Sequence, residues 1–543
     1  QWQAGFDNTA RSSTRLTMGQ QNFESVLEPG ETARTPLAAF IFYEGRNADR
    51  ATNLWRRWFL DCFFTKVEDG EGGYKLFDPV ASGGTSNQWA ETTRATDDNQ
   101  IAAMDVYLDN GVDLDYWWMD AGWYYAMNGD DGEYFLIEQG GGWTRTGVWQ
   151  VDQDRFPTKM QAIGDHIHEN GMKFMVWFEP ERVGDTGLST YKTDAAGNRD
   201  DENGTYRAVN RDWVIPGTNL VNMGIDEAAD WVTERVKEIM DTAGIDTYRE
   251  DFNTDPYGAW VIQDELETAA AADPGYRRNG ITENKYVQGH LRFWDSILEE
   301  YPESVIDSCA SGGLRNDLET MRRAVPLHRT DFDYSNNSIQ QGYNFAMASW
   351  IPYFGCKSDW NGYSSVSANK ASFRRSVVAP WMVMGLDGNE ITDWDHIAEM
   401  VDEHADVSRF IYDDYYQLTP FSNGDNAWLA WEYYSEDKGE GYAVFFRRAA
   451  TEATQTIKLK GLDPDKMYHL WFEDRGDYRY LSGLSLMRDG LQVSLPASET
   501  SDILHILDAS QNSYTARALE TAMTQVAHNG QRRGAIAIVP EAE

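Results

Sequence analysis

Between about residues 75 and 405, short apolar runs alternate with longer stretches whose apolar positions recur at helical spacing. The run LDYWWMDAG (114–122) reads as a strand, KMQAIGDHIHENG (159–171) as a helix closed by Gly171, and KFMVWFEPE (173–181) as the next strand. LVNMG (220–224) precedes the amphipathic stretch DEAADWVTERVKEIMDTAG, and the strand DTYREDFN (246–253) follows at once. HLRFWDSILEEYP then reads as a helix, and VIDSCASGG, PLHRTDFDY and WMVMGLDG as further strands. Repeated strand–helix order argues for parallel strands, and a count close to eight predicts a (β/α)8 barrel.

After about residue 410 the pattern changes to alternating strands and turns: AWLAWEYY, GYAVFFRRA, ATQTIKLKGL, MYHLWFED and LQVSLPAS. This predicts an appended antiparallel β-sandwich over 409–508, behind a barrel domain over 46–408. Residues 1–45 are β-like, with LEPGE as a turn, but too few for a domain of their own; residues 509–543 lack the sandwich pattern and read as an extension or linker.

Four predicted barrel strands end on acids: Asp120, the pair Glu179 and Glu181, Asp251, and the pair Asp331 and Asp333. Barrel chemistry is built where strands end and loops begin, so these acids are placed at one rim. Strand parity puts Arg249, Asp251 and Asn253 on one face and Tyr248, Glu250 and Phe252 on the other. Trp117, Trp118, Trp123, Trp149 and Trp177 lie near the same rim, and the chain holds 21 Trp and 28 Tyr in all. Flat rings with polar edges suit a ligand with CH faces and hydroxyl edges, which points to a sugar cleft.

Composition narrows the partners. With 88 acidic against 47 basic side chains the formal charge is −41, which repels nucleic acid. No apolar run reaches the roughly 18 residues of a membrane span, and QWQAGFDN lacks the features of a signal peptide, so a soluble globular protein is expected. An extracellular setting is favoured over a cytoplasmic one. Cys62, Cys309 and Cys356 form no disulfide framework and no CxxC pair. The acidic loop NGDDGEY (128–134) is the best calcium candidate but lacks EF-hand spacing, so no metal is expected.

WWMDAGWYY, VWFEPERV, YREDFN and DSCASGGLRNDLETMRRAVPLHRTD, in that order, resemble the barrel of glycoside hydrolase family 36, the α-galactosidase family of clan D. The resemblance covers residues 1–508, with QWQAGFDN and LEPGE similar to the end of that family's N-terminal β-supersandwich. It implies a retaining, exo-acting glycosidase needing no cofactor. The substrate would be an oligosaccharide or glycoconjugate ending in an α-linked galactose or a 2-amino or 2-acetamido galactose. A homo-oligomer is compatible with it.

Position by position, the family's lysine-tryptophan-aspartate-methionine-asparagine segment falls on Arg249 to Asn253. Asp251 is thereby implied as nucleophile, with Arg249 and Asn253 touching sugar hydroxyls. The cysteine-and-glycine segment falls on Cys309 to Gly313, implying sugar contacts from Cys309 and the Gly312 backbone, and the acid/base position falls on Asp331. Asp317 and Asp333 are rival acids, Asp317 also reading as a helix cap. Trp149 is assigned to the sugar site, and Arg207 in TYRAVNRDW is the match for an arginine that the family supplies to the sugar. One departure concerns specificity: the family's two adjacent aspartates are here Asp120 and Ala121. A galactosyltransferase like the raffinose synthases, and a non-catalytic sugar-binding barrel, are the alternative readings.

Overall fold

The structure is a computed structural model that describes residues 2–7, 15–85, 94–124, 146–147, 149–183, 211–332, 336–358, 370–385 and 393–510. The chain divides into two compact units, residues 1–409 and 410–543.

The first unit holds eight parallel strands: β1 (Val80–Gly84), β2 (Tyr116–Met119), β3 (Lys173–Phe178), β4 (Thr247–Glu250), β5 (Ile306–Ser308), β6 (Ala324–Val325), β7 (Gly355–Lys357) and β8 (Trp381–Gly385). They pair in the order β6-β5-β4-β3-β2-β1-β8-β7. The ring closes where the Gly355 N–H donates to the Pro326 carbonyl at 3.1 Å. Around it lie α1 (Asp97–Asp109), α2 (Gln161–Glu169), α3 (Asp226–Ala243), α4 (Tyr257–Ala270), α5 (Ile281–Glu300), α6 (Asn337–Met347), α7 (Lys370–Val377) and α8 (Trp394–Ser408). The predicted barrel is therefore the observed one.

Its strands are covered on both faces, so they read as unbroken apolar runs: every residue of β3 after Lys173 is buried. Helix α3 buries Ala228, Val232, Val236, Ile239 and Ala243 along one stripe, carries Asp226 and Glu227 at its positive N-terminal end, and stops at Gly244 with φ 68°. Helix α5 approaches the segment before α3 at Gly289, where any Cβ would collide with the Met223 carbonyl.

Two expected strands are shorter than read. The segment PLHRTDFDY is not a strand: β6 ends at Val325. Pro326 has no N–H to continue the ladder, and the next donor, Leu327 N–H, goes instead to Asp307 Oδ1 at 2.9 Å. Asp331 therefore stands on a loop, strand parity does not relate it to Asp333, and Asp333 lies outside the described residues. In VIDSCASGG only Ile306–Ser308 is strand; the chain then turns through residues 310–313 with φ between 51° and 79°. The sequence pattern also did not single out β1, β6, β7, α1, α4 or α6 to α8; of these β1, β6 and β7 are short and α1 and α4 weakly amphipathic.

The second unit is a six-stranded antiparallel sheet, in the order Asp414–Gln417, Trp428–Ser435, Glu440–Arg447, Thr500–Asp508, Met467–Phe472 and Tyr478–Ser482, with a second two-stranded sheet of Thr454–Ile457 and Leu491–Ser494. Ala430, Phe445, Leu470, Leu486, Val493 and Leu504 pack between them, giving the expected sandwich. Thr500–Asp508, unread in the sequence, pairs on both sides within the larger sheet.

Candidate active site

Parallel pairing sets Trp177 of β3, Arg249 of β4 and Asp307 of β5 side by side across three strands. All three point into the barrel. Arg249 is buried, pairs with Asp307, lies over the Trp118 ring at 4.1 Å and brings Nε to 3.8 Å from Asp120 Oδ2. Burial disfavours its charge, yet Asp307, Asp120 and Asp251 hold its pKa above the usual arginine value.

Two residues further along the same face stands Asp251. The Trp177 indole N–H (3.2 Å) and the Asn253 amide (2.7 Å) donate to its Oδ2, while the backbone N–H groups of Phe252 (2.7 Å) and Ser311 (3.0 Å) donate to Oδ1. Burial opposes ionisation here, but the Arg249 charge, the Ser311 N–H, the Asn253 amide and the Cys309 thiol outweigh it and lower the Asp251 pKa. Such a carboxylate is held in its charged form by donors fixed before any ligand arrives.

The Ser311 donor depends on the turn at 310–313. Ala310 (φ 51°) and Ser311 (φ 53°) carry side chains in the left-handed region, a conformation that costs on the order of 1 kcal/mol each. Of the N–H groups in this turn, that of Ser311 reaches the Asp251 carboxylate, while those of Gly312 and Gly313 go to the Cys309 sulfur and carbonyl. Gly312 follows; a Cβ on it would run into the Asp331 backbone nitrogen and approach the Asp331 carboxyl carbon to 3.0 Å. This close approach seats Asp331 over the turn. Cys309 Sγ, a His328 nitrogen and an Asp331 oxygen lie within 4.8 Å of one another, while the Cys309 thiol also donates to Asp251. Burial, with Asp251 and Asp307 nearby, pushes the thiol well above its usual pKa, so it acts as a neutral donor.

The structure thus brings Asp251, Asp331, Asn253, Cys309 and Gly312 to one place. Asp120 joins them, its side chain 33% exposed and its Oδ1 taken by the Ala121 N–H. Asp317 is a helix cap, accepting from the Glu319 and Thr320 N–H groups. Trp149 is buried against Trp123, Tyr124 and Phe178. Arg207 and the NGDDGEY loop lie outside the described residues.

Glu179 and Glu181, read as rim acids, are fully buried. Glu179 accepts from Arg182 and from the Asn253 N–H at 2.6 Å, fixing the chain just past Asp251. Glu181 joins Glu250, which parity had turned toward the helices, in a network on the outer face of β4. Arg315 reaches both acids, at 2.7 and 2.5 Å, and His290, Trp294 and Tyr248 all bond Glu250. The carboxylates and His290 would suit a metal by donor type, but the Arg315 guanidinium already sits among them. Burial opposes the Glu250 charge, and His290 and Arg315 nevertheless bring its pKa down to about 2. Its contribution to stability is therefore complete above the unfolded carboxyl value of about 4.3 and is lost as pH falls toward about 2. Arg315→Met, leaving two buried carboxylates without their cation, should destabilise the barrel by about 3–5 kcal/mol, read from the urea-unfolding midpoint at neutral pH. A change below about 1 kcal/mol would mean that the acids find another partner. Asp307 and His328 stand in the site with the expected residues, and Arg315 lies behind β4 with Glu181 and Glu250. Of these, Asp307 alone left a trace in the sequence: a lone acid within VID, two positions before Cys309.

A parallel barrel with carboxylates gathered at one rim is a scaffold on which glycoside hydrolases, among other enzyme classes, are built. Residues 86–411 match the family model described as Melibiase, and residues 428–507 match the glycosyl hydrolase family 36 C-terminal domain. The chain belongs to the melibiase family, glycoside hydrolase family 36. An alpha-galactosidase of Lactobacillus acidophilus is 22% identical over 489 residues, covering 84% of this chain and 60% of that protein. The alpha-galactosidase AgaA of Geobacillus stearothermophilus is 21% identical over 521 residues, covering 92% and 63%. A variant of AgaA solved with stachyose superposes with a TM-score of 0.68 at 18% identity, covering 91% of this chain and 64% of that one. The chain thus spans about three fifths of the length of these relatives.

Proposed function

We propose that the protein is a retaining, exo-acting α-galactosidase that removes a terminal α-linked galactose, or a 2-amino or 2-acetamido galactose, by double displacement. Asp251 attacks the anomeric carbon, Asp331 protonates the departing oxygen, and Asp331 then takes a proton from the water that opens the glycosyl-enzyme. The observation that carries this reading is the pair of carboxyls on either side of the Cys309 thiol, one lowered in pKa by fixed donors and the other more than half exposed. The names of its relatives, alpha-galactosidases, support the sugar class.

Sugar recognition falls to fewer carboxylates than the family pattern provides. Asp120 is followed by Ala121, and Arg249 is engaged by Asp307 and Trp118, so it acts through the charge it lends to Asp251. With one acid fewer to bind hydroxyls, unmodified galactose is held by fewer fixed contacts, so galactose altered at C2 is carried into the test. The test is a panel of nitrophenyl α-galactoside, its 2-amino and 2-acetamido analogues, raffinose and stachyose, with the first-formed sugar followed by proton NMR. α-Galactose, or its amino counterpart, should appear first and mutarotate later. First appearance of the β-anomer, or no turnover of any member, would refute the proposal.

A further inference from the structure

A general acid must still hold its proton at the pH where it works. Burial is the usual way to keep a carboxyl protonated, and the Asp331 side chain is 55% exposed. What stands beside it is His328, whose Nε2 lies 2.6 Å from Asp331 Oδ1. The imidazole is itself only 17% exposed and is held by its edge-on contact with the Trp118 ring, 6.1 Å between centroids at 86°. A 2.6 Å separation between a carboxyl oxygen and a ring nitrogen is that of a short hydrogen bond carrying one proton.

We propose that His328 and Asp331 share one proton and act together as the acid/base of the site, with His328 as the positioning residue and Asp331 as the group that touches the substrate. The inference rests on the reading of Asp331 given above. An imidazole is the side chain that exchanges its proton in the neutral range, which makes it the natural partner with which a carboxyl shares one. In the first step the shared proton leaves on the glycosidic oxygen as its bond to the anomeric carbon breaks, giving a carboxylate beside a neutral imidazole. In the second step Asp331 takes one proton from the attacking water, whose oxygen bonds the anomeric carbon as Asp251 departs. One proton leaves the pair and one returns.

The other groups facing His328 agree with this. Cys309, from the turn after β5, is a neutral thiol. Asp307, from β5, is close enough for the imidazole to act on its titration. Lys357, from β7, lines the same small cavity of about 10 Å³ as His328. The neighbouring Arg329 bonds Gln340 at 3.1 Å and the Gly355 carbonyl, within the barrel wall.

His328→Gln keeps a hydrogen-bonding side chain that cannot titrate. On raffinose, whose leaving group needs the acid, the basic limb of its kcat/KM profile should move down by about one pH unit or more. On nitrophenyl α-galactoside, kcat/KM should change less than about threefold, since nitrophenolate leaves without help. A basic limb at the wild-type pH, with the rate scaled equally on both substrates, would reduce His328 to a packing role and overturn the proposal. A second measurement needs no turnover. Among the nine histidine Cε1–H signals, that of His328 should titrate at lower pH in Asp331→Asn than in the unsubstituted protein, because the carboxylate favouring the imidazolium has gone. No movement of any histidine in that variant sinks the proton sharing even if His328→Gln fails to fold. Movement without turnover of any α-galactoside upholds the pair and sinks the functional reading instead.

Discussion

Asp251→Asn should lower kcat/KM on every α-galactoside by roughly four orders of magnitude, about 5.4 kcal/mol of barrier, while leaving sugar binding measurable by calorimetry. The amide has nearly the shape of the acid but cannot form the ester intermediate. Four N–H donors and the Cys309 thiol converge on Asp251, so the amide NH₂ must turn against at least one of them, and a modest loss of stability accompanies the loss of rate. The stereochemistry of rescue separates this role from others. With Asp251→Gly, azide enters from the face the carboxylate has vacated, and the product is the β-galactosyl azide, inverted once. Activity of Asp251→Asn within tenfold of the unsubstituted enzyme would place the nucleophile elsewhere.

Asp331→Ala has the next largest expected effect, and it depends on the leaving group. On raffinose or stachyose the loss should reach about 10²–10⁴-fold, the usual contribution of a positioned acid. On nitrophenyl α-galactoside the first step proceeds without a proton, and the slow step becomes attack of water on the glycosyl-enzyme. Azide needs no base, so it should restore turnover and give the α-galactosyl azide, because Asp251 has already inverted the centre once. Undiminished hydrolysis of raffinose, or a β-azide, would rule out either this residue or the double displacement.

Much of this molecule was legible in its sequence because the relevant forces are local. The alternation of apolar runs and amphipathic stretches gave the barrel and the sandwich, and strand parity separated Asp251 from Glu250 correctly, one facing the barrel interior and the other bonding His290 and Trp294. What stayed hidden was set by partners distant in sequence. Glu181 read like a rim acid since nothing local announces Arg315, 134 residues on, as its counter-ion, although Arg182, the partner of Glu179, stands only three residues away. Asp307 is 58 residues from the arginine it neutralises. The strand read through PLHRTDFDY failed because Pro326 ends a ladder whose apolar pattern continues past it. His328 could not be weighed at all, as its importance lies in one contact three residues away on a loop.

Gly312 gives the site an evolutionary asymmetry. Retaining enzymes keep their two carboxyls about 5 Å apart, and inverting ones open the gap to about 6.5–9.5 Å so that water fits between. Asp331 rests on Gly312 with no room for a single methyl group. A glycine codon becomes an alanine codon by one base change, so the variant that wedges these carboxyls apart is always one step away. Under the double displacement proposed above, the stereochemical outcome hangs on a hydrogen atom at Gly312 where every other amino acid has carbon.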